Sequence, residues 1–107
     1  MSATNAKITS TMLGREDHGI PTCFLYLDYG GSSQGFGGYD LRYYGSDFIM
    51  GILEVVGAER WEQLPGKYVR VEIGPNRLIA AIGHIIEDRW FRPDALDTPG
   101  RRRGATP

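Results

Sequence analysis

Few side chains in this sequence are arranged for catalysis. A nucleophile needs a base, and the only imidazoles are His18 and His84. His18 stands beside Glu16 and Asp17 in the loop GREDHG. A metal could bind among these three, but no HxH, HxxxH or CxxC spacing completes a ligand set. The plainer role for His18 is hydrogen bonding within its own loop. His84 lies in the apolar run Ile82-Gly83-His84-Ile85-Ile86, which suits either a half-buried strand histidine or a ligand contact. Acids are plentiful, yet no pair is placed by spacing for general acid and base work. The one cysteine, Cys23, precedes Phe24 and Leu25 and reads as a buried strand thiol.

Binding chemistry has more material. In Gly35-Phe36-Gly37-Gly38-Tyr39 the glycines let the backbone approach a ligand and turn its amides toward phosphate oxygens, while Phe36 and Tyr39 offer rings for stacking on a base. The segment is neither a dinucleotide fingerprint nor a phosphate-binding loop, because no strand–helix junction and no Lys-Ser/Thr pair accompany it. A glycine-rich β-bulge packed against a neighbouring subunit would use the same residues equally well. In Asp88-Arg89-Trp90-Phe91-Arg92, two arginines flank two aromatics, a set that suits a ligand with both phosphate and a ring. Trp90 and Phe91 would serve equally as a cap on the core. Asn76 and Arg77 fall in a turn and are candidates for polar contacts, ordinary turn chemistry being the alternative.

The elements that must position these residues follow from periodicity. Lys7 to Leu13 predicts a first strand and Gly14 to Pro21 a loop. Thr22 to Tyr29 alternates with period two and is the clearest strand. Gly30 to Ser33 predicts a turn into a third strand over Gln34 to Leu41. Ser46 to Val56 predicts a helix, with Ser46 as N-cap, Asp47 suited to the dipole and Gly57 as the stop. Glu59 to Leu64 predicts a short helical turn. Lys67 to Ile73 alternates again, and a turn at Gly74, Pro75 and Asn76 leads to a strand over Arg77 to Ile86, making a hairpin. Strands, then a helix, then strands predict an α+β fold with a mostly antiparallel sheet and one main helix. The expected organisation is one domain over residues 1–96 and a disordered, arginine-containing tail over 97–107.

The totals narrow the class. A chain of 107 residues with 15 glycines and 41% hydrophobic residues has room for one modest core, so association into a homo-oligomer is expected. No apolar leader or bilayer-length segment is visible, and a lone cysteine fits a reducing compartment, so the expected location is cytoplasmic with no membrane contact. Residues 1–97 hold 9 bases against 13 acids, a net of −4, which does not suit DNA binding. Ten of the twelve bases are arginine, the better residue for bidentate phosphate contacts and for stacking on rings, although a GC-rich genome that favours arginine codons explains the bias equally well.

Several strings in one order carry a resemblance. Ser10-Thr11-Met12-Leu13-Gly14-Arg15-Glu16-Asp17-His18-Gly19 resembles the "TMLGxEDHGI" opening of small phage and prophage proteins. Gln34 to Tyr39, Trp61 to Val71 (WEQLPGKYVRV), and Ile82 to Ile86 followed by Asp88 and Trp90-Phe91 continue it over roughly residues 7–92. The family resembled is the phage Thoeris anti-defence sponge proteins of the first type. That resemblance implies a protein without catalysis or cofactor. It would bind the glycocyclic ADP-ribose signal of bacterial TIR-domain enzymes in the infected host cell and so silence an NAD-destroying effector. It also implies dimers that assemble into hexamers, and in some members separate sites for cyclic oligonucleotides. The link Arg42 to Gly45 is shorter here than in related chains, so a pocket wall built there does not carry over.

On this reading Phe36, Tyr39 and Trp90 or Phe91 line the base. Arg77, Arg89 and Arg92 meet phosphate together with the Gly37 and Gly38 backbone, and Asn76 and His84 add polar contacts. Sequestration requires tight binding, and a nanomolar constant corresponds to about −12 kcal/mol. Three rivals stand beside it: a counter-defence protein that binds a host protein such as a CRISPR effector, a hydrolase of the same signal using His18, Glu16 and Asp17, and a nucleic-acid binder that uses Arg101 to Arg103.

Overall fold

A six-stranded, wholly antiparallel sheet carries the fold, in the order β3-β2-β1-β4-β5-β6. The computed structural model describes residues 3–44 and 46–93. The strands are β1 (Ala3–Arg15), β2 (Pro21–Tyr29), β3 (Ser32–Gly37), β4 (Tyr68–Ile73), β5 (Ile79–Gly83) and β6 (Trp90–Phe91). The helices are α1 (Leu41–Tyr44) and α2 (Asp47–Val56), with a 3-10 turn at Trp61–Gln63. The α+β expectation therefore holds. The tail over 97–107 lies outside the described residues.

β1 is longer than its apolar pattern predicts, and its length has a purpose. Its first part, Ala3 to Lys7, pairs with β4, and its second, Lys7 to Arg15, pairs with β2. A register shift between Ile8 and Ser10 marks the handover. Polar residues such as Thr4 and Asn5 form strand here because β4 supplies hydrogen bonds, which local alternation cannot reveal.

β2 and β3 join through Gly30 and Gly31, both at positive φ (56° and 83°), the two-residue turn whose twist matches paired strands. β3 stops at Gly37, short of the expected Leu41. Gly37 (φ 135°) and Gly38 (φ 82°) take backbone conformations closed to most residues, and the Gly38 amide donates to the Cys23 carbonyl, which turns the chain off the sheet. Asp40 then starts α1: its carboxylate accepts the Arg42 amide, and its carbonyl accepts the amides of Tyr43 and Tyr44.

α2 buries Phe48, Ile52, Leu53 and Val55, as its spacing predicts. Ser46, expected as a side-chain cap, makes no cap bond; its backbone is already helical, and its carbonyl accepts the Met50 amide. Gly57 ends the helix in the left-handed region (φ 85°), as expected.

The core lies where α2 meets Ile8, Leu25, Leu27, Phe36, Leu64, Val69, Val71, Ile82 and Phe91. β5 spans only Ile79 to Gly83, not Arg77 to Ile86. At its start Arg77 remains in the turn at φ 67°; at its end His84 leaves the ladder to build a loop. No helix among the described residues is long and apolar enough to cross a membrane.

Candidate functional site

Cross-strand register builds the site. In an antiparallel sheet, directly opposed residues share a face. One row across β4, β5 and β6 is Val71–Ile82–Phe91, which enters the core; the next is Arg70–Gly83–Trp90, which faces away from it. Because Gly83 has no side chain, the Trp90 indole leans across it to meet Arg70, whose guanidinium carbon lies 5.0 Å from the ring centroid. Arg92, two residues beyond Trp90, also lies over the ring, at 5.6 Å. The half-buried indole thus has two guanidinium neighbours, and its Nε1 donates to Asp88 at 3.1 Å.

Each cation has a fixed place. Arg70 Nε donates to the His84 carbonyl (2.8 Å) and its Nη2 to the Glu87 carbonyl (2.7 Å). Arg92 forks onto both carboxylate oxygens of Glu72, holding the Glu72 carboxyl below its ordinary range. Arg89 pairs with Glu87 at 2.8 Å and donates from Nη1 to the Glu54 carbonyl at 3.1 Å, near the C-terminal end of α2 where a cation is favourable.

Between α2 and β6 lies a cleft of about 450 Å³ lined by Gly51, Glu54, Val55, Arg89, Trp90 and Phe91. Gly51 brings the helix directly onto Phe91: a Cβ built there would stand 2.4 Å from the ring. The sequence reading missed Gly51, Glu54 and Val55. The 3.6-residue period identified the apolar face of α2 but not which strand it would meet.

The remaining expected residues lie elsewhere in the chain. Phe36 is a core residue, 4% exposed, with its ring 5.8 Å from Phe48. Gly37 and Gly38 pack against Cys23 and the Phe24 ring of their own chain. Tyr39 packs on Tyr44 and Phe48. Asn76 accepts the Leu78 amide through its side chain, an ordinary turn role, and Arg77 sits beside it. These two lie beyond Ile79, at the opposite end of β5 from Gly83, the partner of Trp90, and β5 alone spans about 13 Å at ~3.3 Å per residue. His84 Nδ1 accepts the amides of Ile86 (3.1 Å) and Glu87 (2.9 Å). One chain therefore brings Arg89, Trp90 and Phe91 to the cleft and Arg70 and Arg92 to the Trp90 ring on the face away from the core, and leaves Phe36, Gly37, Gly38, Tyr39, Asn76 and Arg77 apart.

The groups weighed for catalysis have quiet surroundings. Glu16 uses one carboxylate oxygen to accept the amides of His18 and Ile20, which lowers its carboxyl below the ordinary range and organises its own loop. Cys23 is buried, and burial pushes its thiol up to about 12. Among the described residues no group of three or more His, Cys, Asp or Glu side chains is placed to hold a metal ion. No protein-family model matches the chain, and no curated protein matches it either.

Proposed function

We propose that this protein captures a phosphorylated, nucleotide-like signal without transforming it, and that the ligand is a cyclic ADP-ribose isomer sequestered during phage infection of a bacterial cell. The observation that carries the reading is that Arg89 and Trp90 both line one cleft, while Arg70 and Arg92 lie beside the Trp90 indole on the sheet face away from the core. A ring and several guanidinium groups match the base and pyrophosphate of such a molecule. The cleft volume is that of a small-molecule site.

Arg89 is available to a phosphate at low cost. Its partner Glu87 has a side chain 61% exposed, and exposed ion pairs contribute about 0–1 kcal/mol. Exchanging that carboxylate for a pyrophosphate oxygen therefore loses little. The Arg92 fork onto Glu72 is held more firmly and serves to flank the ring. In a homo-oligomer a second chain would complete the walls of the cleft. The resemblance to the Thoeris sponge family supports the same assignment.

Isothermal titration of the purified protein with a glycocyclic ADP-ribose tests the reading. Binding below about micromolar, recovery of intact ligand after denaturation, and at least about tenfold weaker binding by Arg89→Ala and Trp90→Ala are expected. Absence of heat at micromolar protein, or ligand recovered as a cleaved product, would overturn it. One observation favours direct binding of a host defence protein instead: Ile86 stands 82% exposed at the tip of a braced loop. A stoichiometric complex with such a protein, lost in Ile86→Asp and with no nucleotide bound, would support that second reading.

A further inference from the structure

The loop from His84 to Arg89 brings Arg89 and Trp90 to the cleft, and one imidazole organises it. His84 Nδ1 accepts two backbone amides at once, from Ile86 and Glu87. Only the neutral ring protonated at Nε2 can do this, because an imidazolium has no acceptor. The rest of the loop is closed by main chain, by Arg70, by the Trp90–Asp88 bond and by the Arg89–Glu87 pair. The His84 amide donates to the Arg89 carbonyl at 3.0 Å, the Arg89 amide donates to the Glu87 carbonyl, and Arg70 holds the carbonyls of His84 and Glu87. The imidazole is thus the sole side-chain acceptor shown for the two tip amides.

We propose that His84 is an acid-released catch: protonation of its ring frees the Ile86 and Glu87 amides, loosens the loop, and weakens capture at the Arg89–Trp90 cleft. The charged groups around the loop are Arg70 from β4, Glu87, Asp88 and Arg89 within it, and Glu72 and Arg92 beside Trp90. Arg70 approaches the loop through its carbonyls and opposes a second positive charge there. Glu87 pairs with Arg89 and makes no bond to the ring. Protonation therefore removes two hydrogen bonds and gains no partner among these contacts. The ligand half of the proposal rests on the binding reading above; the loop half does not.

The test uses the full chain without ligand. NMR follows the His84 ring protons from pH 8 to 5 while hydrogen exchange reads individual amides. Protection of the Ile86 and Glu87 amides should fall at least about tenfold with the midpoint of the ring titration. The core amides of Ile8 and Leu25 should stay protected. His84→Asn supplies an amide oxygen that accepts at any pH, and should abolish the pH dependence. Unchanged protection at Ile86 and Glu87 while the ring titrates would overturn the catch. So would loss at Ile8 and Leu25 in parallel, since the event would then be global. Repeating the titration with a cyclic ADP-ribose isomer separates the two claims. Binding that stays constant across the loop transition overturns the control of capture, whereas absence of binding at every pH overturns the ligand and leaves the catch in place.

Discussion

The six-membered ring of Trp90 rests on the bare backbone of Gly83, where a built Cβ would lie 2.7 Å from Cδ2, Cε3 and Cζ3 of the indole. Real Cβ atoms do not approach that closely, so the contact exists only because this position is glycine. It sets the height of the ring above the sheet and its distance to Arg70.

Gly83→Ala should therefore displace the indole. Overpacking of this kind costs about 1–3 kcal/mol, which would appear as a lower urea midpoint with an unchanged slope. Trp90→Ala in the same background removes the obstruction, so the double variant should lose less than the sum of the two single changes. Full additivity would mean the two residues do not meet.

A second clasp joins distant parts of the sheet. Gln34 of β3 accepts the Ile79 amide at 2.6 Å and donates to the Arg77 carbonyl at 3.1 Å and to Tyr29 Oη at 2.8 Å, so one side chain does the work of a strand partner at the start of β5. Ile79 is buried, and Gln34→Ala would leave its amide without this acceptor. A loss of about 1–3 kcal/mol is expected, with faster hydrogen exchange at Ile79 than at Ile82. Gln34→Glu keeps the acceptor and loses both donors, and should fall between the two. Equal stability of all three proteins in urea would contradict the clasp.

Cys23 should behave as a core residue. Burial raises its thiol from 9.0 to about 12, so the folded chain holds its proton more tightly than the unfolded chain does. The sign follows: this contribution to stability is full below about pH 9 and declines as pH rises from about 9 toward 12. At pH 8 a disulfide reagent should label the native protein only as fast as it unfolds, and urea should accelerate labelling in step with the loss of structure. Rapid stoichiometric labelling without denaturant would show an accessible thiol.

Much of the scaffold was legible because local period reports burial. Cys23, Leu25 and Leu27 face the core as alternation predicts, and Phe48, Ile52, Leu53 and Val55 do so as helical spacing predicts. Arg89, Trp90 and Phe91 were picked out as candidates because their types and proximity are visible in one short string. At Gly37 and Gly38 the close approach is to Cys23 and Phe24 of β2. Sequence shows that a glycine allows close approach, not what approaches.

By itself, then, the sequence determined the strands and helix whose apolar period is strong, and the chemical types gathered near residue 90. Tertiary structure alone decided the extension of β1 through Ala3, the Gln34 clasp, the row Arg70–Gly83–Trp90 and the meeting of α2 with Phe91. The physical reason is range. Periodicity is fixed by neighbours along the chain, whereas each of these features depends on the register between segments far apart in sequence, which is set only when the sheet closes around its core.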